Sequence, residues 1–339
     1  MTIGTYTKAT SEGIYQADFN TVSGKLSNLR HIATVEQPSF LTLSRDKEKL
    51  YAISEIDKGK LSVLSRQEDG SYTLDQEIST EGSTTCHVIL NKDETLVSVA
   101  NYREGSLIVY DQQEGKLSKV ALFKHEGSSV ALPRQKVPHP HSSYFSKGEK
   151  YIYVPDLGTD EIMAYPIIEG RPMEGKVALK INPGDGPRHM AFTPDKDLWF
   201  VVGELTSVVW SLKPNADGTF EVIDRQELLP DGTQGRTSAA DVHVSPDGKY
   251  LYASTRGFEN GFHGIAIFEI LKLGGLKALG HATEGINQPR NFCLSPDGKF
   301  LLVANQNGDN IIVFKVQGDG MLEATGHSIE VSMPVCLKF

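Results

Sequence analysis

Several side chains that can carry out acid–base and anion-binding chemistry stand at the ends of short apolar segments. In chain order they are His139, His141, Arg188, His189, Glu204, Arg256 and Arg290. Histidine and glutamate can take a proton from water, and arginine can hold a carboxylate or a phosphate through paired hydrogen bonds. If the fold brings these residues together, they would suit the hydrolysis of a small anionic substrate.

The overall composition limits the possible partners. The chain of 339 residues has 34 basic and 43 acidic side chains, a net charge of -9, which argues against binding to nucleic acid or an anionic membrane. The N-terminal sequence MTIGTYTKAT has no basic segment followed by an apolar run. We expect a cytoplasmic protein, a monomer or weak homo-oligomer, that binds a small anionic molecule and needs no cofactor.

A sequence repeat indicates which elements position these residues. The stretches SPDGKYLYASTRG and SPDGKFLLVANQNG are near copies, and weaker copies precede them; the six begin at Ser44, Asn91, Ser146, Thr193, Ser245 and Ser295. Their spacing clusters at about 50 residues, which is typical of propellers and other repeat folds. Ser-Pro-Asp-Gly supplies proline at the second turn position and glycine where a positive φ is needed, so each copy predicts a tight hairpin between two short strands.

The two ends of the chain belong to one repeat. IGTYT near the N-terminus matches the second strand of a repeat, and PVCLKF at 334–339 matches the first. A linear solenoid needs capping repeats, whereas a closed ring pairs its last strand with its first. We therefore predict one all-β domain over residues 1–339: a seven-bladed β-propeller of four-stranded blades, closed by pairing of the N- and C-terminal strands. Two stacked β-sandwiches would explain neither the period nor the terminal offset.

The residues that differ most between repeats stand at the start of the first strand and at the end of the second, and they are predicted to share one face. Since the first and second strands of a blade are antiparallel, the start of the first and the end of the second lie at the same face. Blades that are otherwise alike differ in chemistry at these positions, so we expect them to line a mouth of the central channel. Three amides are predicted to join the residues named above: Asn101, Asn305 and Gln306.

Several blade-specific segments resemble a known family. GTYT, PHPHSS, VPDLGTD, GPRHMAF, VGEL, SPDGKYLYASTRG and VANQ occur in this order and are similar to the lactonase family of seven-bladed propellers. The resemblance covers essentially the whole chain and implies a lactone-handling enzyme that works without a bound metal. The family's site of one histidine, one arginine, one glutamate and a second arginine falls on His141, Arg188, Glu204 and Arg256. Because two histidines flank Pro140, the match also fits His139.

Three functional hypotheses follow. The leading one is hydrolysis of a sugar lactone, 6-phosphoglucono-δ-lactone of the pentose phosphate pathway. Water would be activated by Glu204 or His141, and Arg188 and Arg256 would hold the phosphate and stabilise the oxyanion. The remaining predicted residues, His139, His189, Arg290, Asn101, Asn305 and Gln306, would bind substrate. The second hypothesis is a carboxymuconate-type lactone cyclase or hydrolase at the same site. The third is a non-catalytic binding propeller, which would favour an apolar or aromatic rim.

Overall fold

The computed structural model describes residues 1–113 and 116–339, and within these residues all regular elements are β-strands. They form seven antiparallel sheets, here called blades 1 to 7. Blade 1 contains β29 (Pro334–Lys338), β1 (Thr2–Thr5), β2 (Gly13–Phe19) and β3 (Leu26–Thr34). Blade 2 contains β4 (Leu41–Leu43), β5 (Lys49–Ser54), β6 (Lys60–Arg66) and β7 (Tyr72–Ser79). Blade 3 contains β8 (Thr85–Leu90), β9 (Leu96–Asn101), β10 (Ser106–Gln113) and β11 (Lys116–Lys124). The sequence GKLSKVALFK at 115–124 predicts the fourth strand of this repeat, and its first residue lies outside the described residues.

The other four blades follow in chain order. Blade 4 contains β12 (Tyr144–Phe145), β13 (Tyr151–Asp156), β14 (Glu161–Ile168), β15 (Arg171–Pro172) and β16 (Lys176–Lys180). Blade 5 contains β17 (Pro187–Phe192), β18 (Trp199–Gly203), β19 (Val208–Pro214) and β20 (Phe220–Glu227). Blade 6 contains β21 (Arg236–Val244), β22 (Tyr250–Phe258), β23 (Gly264–Ile270) and β24 (Leu276–Ala282). Blade 7 contains β25 (Pro289–Leu294), β26 (Phe300–Asn305), β27 (Asn310–Val316) and β28 (Leu322–Glu330).

The ring closes as the sequence predicts. In blade 1 the C-terminal strand β29 is the innermost, and it pairs antiparallel with β1, with Ile3 opposite Leu337. The seven-bladed propeller and its closure by the terminal strands are therefore confirmed. Blade 4 differs from the others in that two short segments, β15 and β16, both pair with β14 in the place of one outer strand.

The repeated turn has the predicted conformation. Ser245 Oγ donates to Asp247 Oδ1 at 2.6 Å, and the Gly248 N–H donates to the Ser245 carbonyl at 2.8 Å. Gly248 has a φ of +69°, a value that a side chain disfavours and glycine adopts freely. The same contacts recur at Ser295, where Gly298 has a φ of +71°. This turn lies opposite the channel mouth and fixes the register of the two inner strands.

Apolar side chains fill the space between neighbouring blades. Phe200 of blade 5 and Phe268 of blade 6 are almost fully buried in one such cluster, and Trp199 is buried in the next, against blade 4. Because large side chains pack closely on both faces of each sheet, the blades cannot rotate independently, and the channel between them keeps a fixed shape. In the described part of the chain no helix is long and apolar enough to span a membrane.

β-Bulges occur at the channel end of several innermost strands. The register shifts between Thr85 and His87, between Pro187 and Met190, between Ala239 and Val242, and between Pro289 and Asn291. A bulge adds a residue to one strand and turns its side chain away from the regular alternation. The residues between these limits are Cys86, Arg188, His189, Ala240, Asp241 and Arg290, most of which face the channel.

Candidate active site

A cavity of about 480 Å³, the mouth cavity, opens at the face where the first strands begin and the second strands end. The start of the first strand and the end of the second strand of a blade meet at this face, as predicted. The N–H of Glu204 donates to the Gly186 carbonyl at 2.8 Å, and the N–H of Tyr102 donates to the Thr84 carbonyl at 3.1 Å. The charged residues lining the cavity are Glu55, Arg134, Glu204, Arg236, Arg256 and Arg290. The cavity therefore has more positive than negative side chains, in a protein whose net charge is -9.

Glu204 is the anionic centre of the mouth cavity. It follows β18, and its side chain is only 6% exposed. Its Oε2 accepts a hydrogen bond from Arg188 Nε at 2.9 Å, and its Oε1 accepts one from Arg134 Nη2 at 2.9 Å. Arg256 Nη2 lies 3.5 Å from Oε2. Burial by itself would raise the pKa of the Glu204 carboxyl, but Arg256, Arg188 and Arg134 outweigh it and lower this pKa to about 2.

His141 lies beside this carboxylate. It comes just before the short inner strand of blade 4, where its N–H donates to the Pro155 carbonyl at 3.0 Å. Its Nε2 is 3.9 Å from Glu204 Oε2, and its buried Nδ1 has no hydrogen-bond partner in the described residues. Burial, together with Arg188, holds the pKa of this imidazole well below its usual value. His141 is therefore neutral near pH 7 and has a nitrogen lone pair available to accept a proton.

Arg256 and Arg290 also line the mouth cavity, from blades 6 and 7. Arg256 Nη2 donates to Ser238 Oγ at 2.9 Å, while its buried Nε makes no hydrogen bond within the described residues. Arg290 Nη2 lies 3.5 Å from Glu55 Oε2, and its guanidinium stands over the ring of Tyr6, 5.4 Å from the ring centroid. Burial alone would lower the pKa of Arg290, but Tyr6 and Glu55 raise it. Both guanidiniums are thus held in place by neighbours from the same rim.

Arg188 and His189 lie deeper in the channel than predicted for groups that bind substrate. Arg188 is 1% exposed and does not line the mouth cavity, and its Nη1 donates to the Ala240 carbonyl. His189 hydrogen-bonds Asp241 through Nδ1 at 2.8 Å, and burial and Arg188 lower its pKa to about 4. Together with His141, both side chains line a separate void of about 10 Å³. Arg188 is connected to the lining of the mouth cavity through its hydrogen bond with Glu204.

The predicted histidine His139 and the three amides also lie outside the lining of the mouth cavity. His139 stacks on Tyr102 with ring centroids 4.3 Å apart. Asn101 is fully buried and donates to the Thr80 carbonyl at 2.9 Å, and Asn305 donates in the same way to the Gly285 carbonyl at 2.8 Å. Gln306 contacts the side chain of Asn307 at 3.3 Å. In this geometry His139, Asn101 and Asn305 support the walls of the site.

Two arginines of the mouth cavity are absent from the sequence-based set. Arg134 belongs to the long connection between β11 and β12, and it is held by its neighbour Gln135, whose buried amide donates to the Leu157 carbonyl at 2.8 Å. Arg236 begins β21, whereas the repeat, with ADVHVS at 240–245, predicts a strand that starts four residues later. The repeat identifies neither residue because both lie in segments that only one blade has. The sequence feature that could have indicated them is the arginine in each of the segments PRQK (133–136) and QGRTS (234–238).

Within residues 1–113 and 116–339, no group of three or more His, Cys, Asp or Glu side chains has an arrangement that could hold a metal ion. The glutamates of the mouth cavity instead face arginines, which would repel a divalent cation.

Comparison with known proteins agrees with the fold. The family model described as "Lactonase, 7-bladed beta-propeller" matches residues 1–339. The chain belongs to this lactonase family. It is 32% identical to the 6-phosphogluconolactonase of Bacillus subtilis over 99% of this chain and 97% of that protein. It is 33% identical to the 6-phosphogluconolactonase of Formosa agariphila, over 93% and 92% of the two chains. The solved structure of a periplasmic gluconolactonase from Pseudomonas aeruginosa superposes with a TM-score of 0.93 at 29% identity, covering 100% of this chain and 98% of that one.

Proposed function

We propose that this lactonase-family protein hydrolyses 6-phosphoglucono-δ-lactone to 6-phosphogluconate, a reaction of the pentose phosphate pathway. The observation that carries the proposal is the mouth cavity, which places a neutral histidine beside an ionised glutamate among four arginines. Two relatives named 6-phosphogluconolactonase support the choice of substrate. A cavity of about 480 Å³ falls in the range that holds a small ligand. Its charged lining also differs from the apolar face that a purely partner-binding propeller would favour.

His141 is the general base in this proposal. Glu204 is a weak proton acceptor because its pKa is about 2 and both of its oxygens accept hydrogen bonds from arginine. The pKa of His141 is lowered as well, but this side chain borders the same cavity and has a ring nitrogen without a hydrogen-bond partner in the described residues. When it takes a proton from water, the imidazolium lies about one ion-pair distance from the Glu204 carboxylate, which stabilises it. The arginines that hold Glu204 keep it ionised for this purpose.

The chemical step opens the lactone ring. The water oxygen bonds to the lactone carbonyl carbon as its proton passes to His141, and the carbonyl oxygen becomes an oxyanion. Arg256 and Arg290, which line the cavity, donate to this oxygen. The bond between the carbonyl carbon and the ring oxygen then breaks, and the ring oxygen takes the proton from the imidazolium. The product is a ring-opened carboxylic acid, which ionises.

The test is an assay of the purified protein on 6-phosphoglucono-δ-lactone at mildly acidic pH, where spontaneous opening is slow. We expect hydrolysis above the spontaneous rate, unchanged by exhaustive EDTA treatment and inhibited by inorganic phosphate. Loss of activity with EDTA and recovery with calcium or zinc would contradict the metal-free step. A protein that opens only carboxylated lactones would instead be of the carboxymuconate type.

A further inference from the structure

The inner hairpin of blade 6 is longer than those of other blades. The β-ladders of blades 3, 5 and 7 end at the pairs Thr85–Asn101, Pro187–Gly203 and Pro289–Asn305. The corresponding pair in blade 6 is Ala239–Thr255, after which the ladder continues through three more pairs to Arg236 and Phe258. Three pairs extend a hairpin by roughly 10 Å. We call residues 236–238 and 256–258 the blade 6 extension, and they line one side of the mouth cavity.

Contacts with the loop between β22 and β23 and with the segment before β25 fix the extension in place. The N–H of Gly257 donates to His263 Nδ1 at 3.1 Å, and the Gln288 side chain donates to the Gly257 carbonyl. A β-carbon at position 257 would stand 2.0 Å from the Gly261 carbonyl oxygen, so the neighbouring loop packs directly against the backbone there. The extension is therefore a rigid part of the cavity wall, and the residues on it are held at fixed positions.

Arg236 differs from the other arginines of the mouth cavity. Arg134 and Arg256 lie close to Glu204, and Arg290 lies close to Glu55. Arg236 is exposed and makes no ion pair in the part of the chain that the structure describes. Its guanidinium stands 4.5 Å from the ring centroid of Phe258, the residue directly opposite it in the ladder. The ring orients the guanidinium without neutralising it, which leaves its charge for an anion from outside.

We propose that Arg236 determines substrate specificity by binding the phosphate of the lactone at the entrance to the mouth cavity. This inference rests on the proposed function. The buried groups His141, Glu204 and Arg256 serve the lactone carbonyl, whereas Arg236 holds the charged end that stays nearest to water. A phosphate ester carries a charge of about -1.5 to -2 and three acceptor oxygens, which suits an unpaired guanidinium. The enzyme then prefers phosphorylated lactones through substrate binding, not through the chemical step.

The experiment compares the Arg236→Gln variant with wild type on two lactones, 6-phosphoglucono-δ-lactone and glucono-δ-lactone. We expect kcat/KM for the phosphorylated lactone to fall roughly 10- to 100-fold, mainly through KM, because a charge-assisted hydrogen bond is lost. The value for glucono-δ-lactone should stay within about twofold. Arg236→Lys should restore part of the loss, since an ammonium group binds phosphate as a point charge. Arg171→Gln, on the outer segment β15, is the matched control and should change neither value.

Calorimetry with 6-phosphogluconate and gluconate makes the test independent of turnover. Arg236→Gln should weaken binding of 6-phosphogluconate by about tenfold or more and leave gluconate unchanged. Equal losses for both ligands, or no loss for either, would overturn the role of Arg236. Equal affinity of the wild-type protein for 6-phosphogluconate and gluconate would also overturn this role. If wild type binds 6-phosphogluconate through Arg236 but opens no lactone, the proposed function fails and the phosphate site stands.

Discussion

Two pairs of polar residues occupy the same end of the inner hairpins, one pair in blades 3 and 7 and the other in blades 5 and 6. The contacts made by the two pairs are opposite in kind. Asn101 and Asn305, the last residues of β9 and β26, hydrogen-bond to the connections that lead into their blades from the preceding ones. Glu204 and Arg256 come one position later in their repeats and line the mouth cavity. Successive side chains of a strand point to opposite faces. A shift of one residue therefore separates a group that supports a blade from one that faces the substrate.

The exposed fractions of these four side chains do not reveal this difference. All four side chains are nearly inaccessible, but the amides are satisfied by neutral partners, whereas Glu204 and Arg256 belong to a cluster of charges from several blades. A buried charge cluster costs desolvation free energy that its ion pairs only partly return, so it is poor evidence for stability. We expect the amides to matter for stability and the charged cluster to matter for catalysis.

The largest expected effect is on turnover. His141→Gln should lower kcat on 6-phosphoglucono-δ-lactone by about 10²- to 10⁴-fold, because the general base is lost. Glu204→Gln should also lower kcat, since the imidazolium loses its counter-charge. His31→Gln, on the outer strand β3, is the control and should leave kcat unchanged. Steady-state kinetics decides the point: normal turnover by His141→Gln would move the base role to Glu204.

A smaller effect is expected on stability. Asn101→Ala and Asn305→Ala each remove buried hydrogen bonds and leave their partners unsatisfied, so the free energy of unfolding should fall by about 1–3 kcal/mol. Urea denaturation measures this loss. Because neither side chain lines the mouth cavity, kcat and KM should stay within about twofold of wild type. A large fall in kcat with unchanged stability would contradict this prediction, because it would show that the amides act in catalysis and not in stability.

The last effect concerns the pH dependence of stability and develops gradually over about two pH units. The pKa of His189 is lowered to about 4 in the folded protein, against about 6.5 in an unfolded chain. The unfolded chain therefore binds more protons between these values. The contribution of His189 to stability is complete above about pH 6.5 and falls by about 1.4 kcal/mol per pH unit down to about pH 4.

The His189→Asn variant isolates this contribution, because its amide can take the place of Nδ1 beside Asp241. Between about pH 4 and 6.5, the free energy of unfolding of this variant should depend less on pH than that of wild type, by about 1.4 kcal/mol per pH unit. Asn305→Ala should instead displace the whole curve by a constant amount, since an amide does not titrate. An unchanged slope in His189→Asn would mean that His189 is not buried in its neutral form.

The sequence by itself determined the propeller. The period of about 50 residues, the Ser-Pro-Asp-Gly turns and the split repeat at the two ends specify seven blades and their closure, because turn conformation and strand pairing depend on local sequence. The same alignment also identified the face of the site and the neighbourhood of His141, Glu204, Arg256 and Arg290. The cytoplasmic location and the oligomeric state stay predictions.

Only the tertiary structure decided which of the predicted polar residues face the mouth cavity. Bulges at Arg188 and Arg290 break the simple alternation, and one-residue differences direct Asn101 and Asn305 into the blades. Arg134 and Arg236 reach the site from segments outside the repeat. The charge state of Glu204 depends on arginines contributed by blades 5 and 6 and by the connection before blade 4. Electrostatic contacts of this kind join residues far apart in the chain, so their existence depends on how the blades assemble.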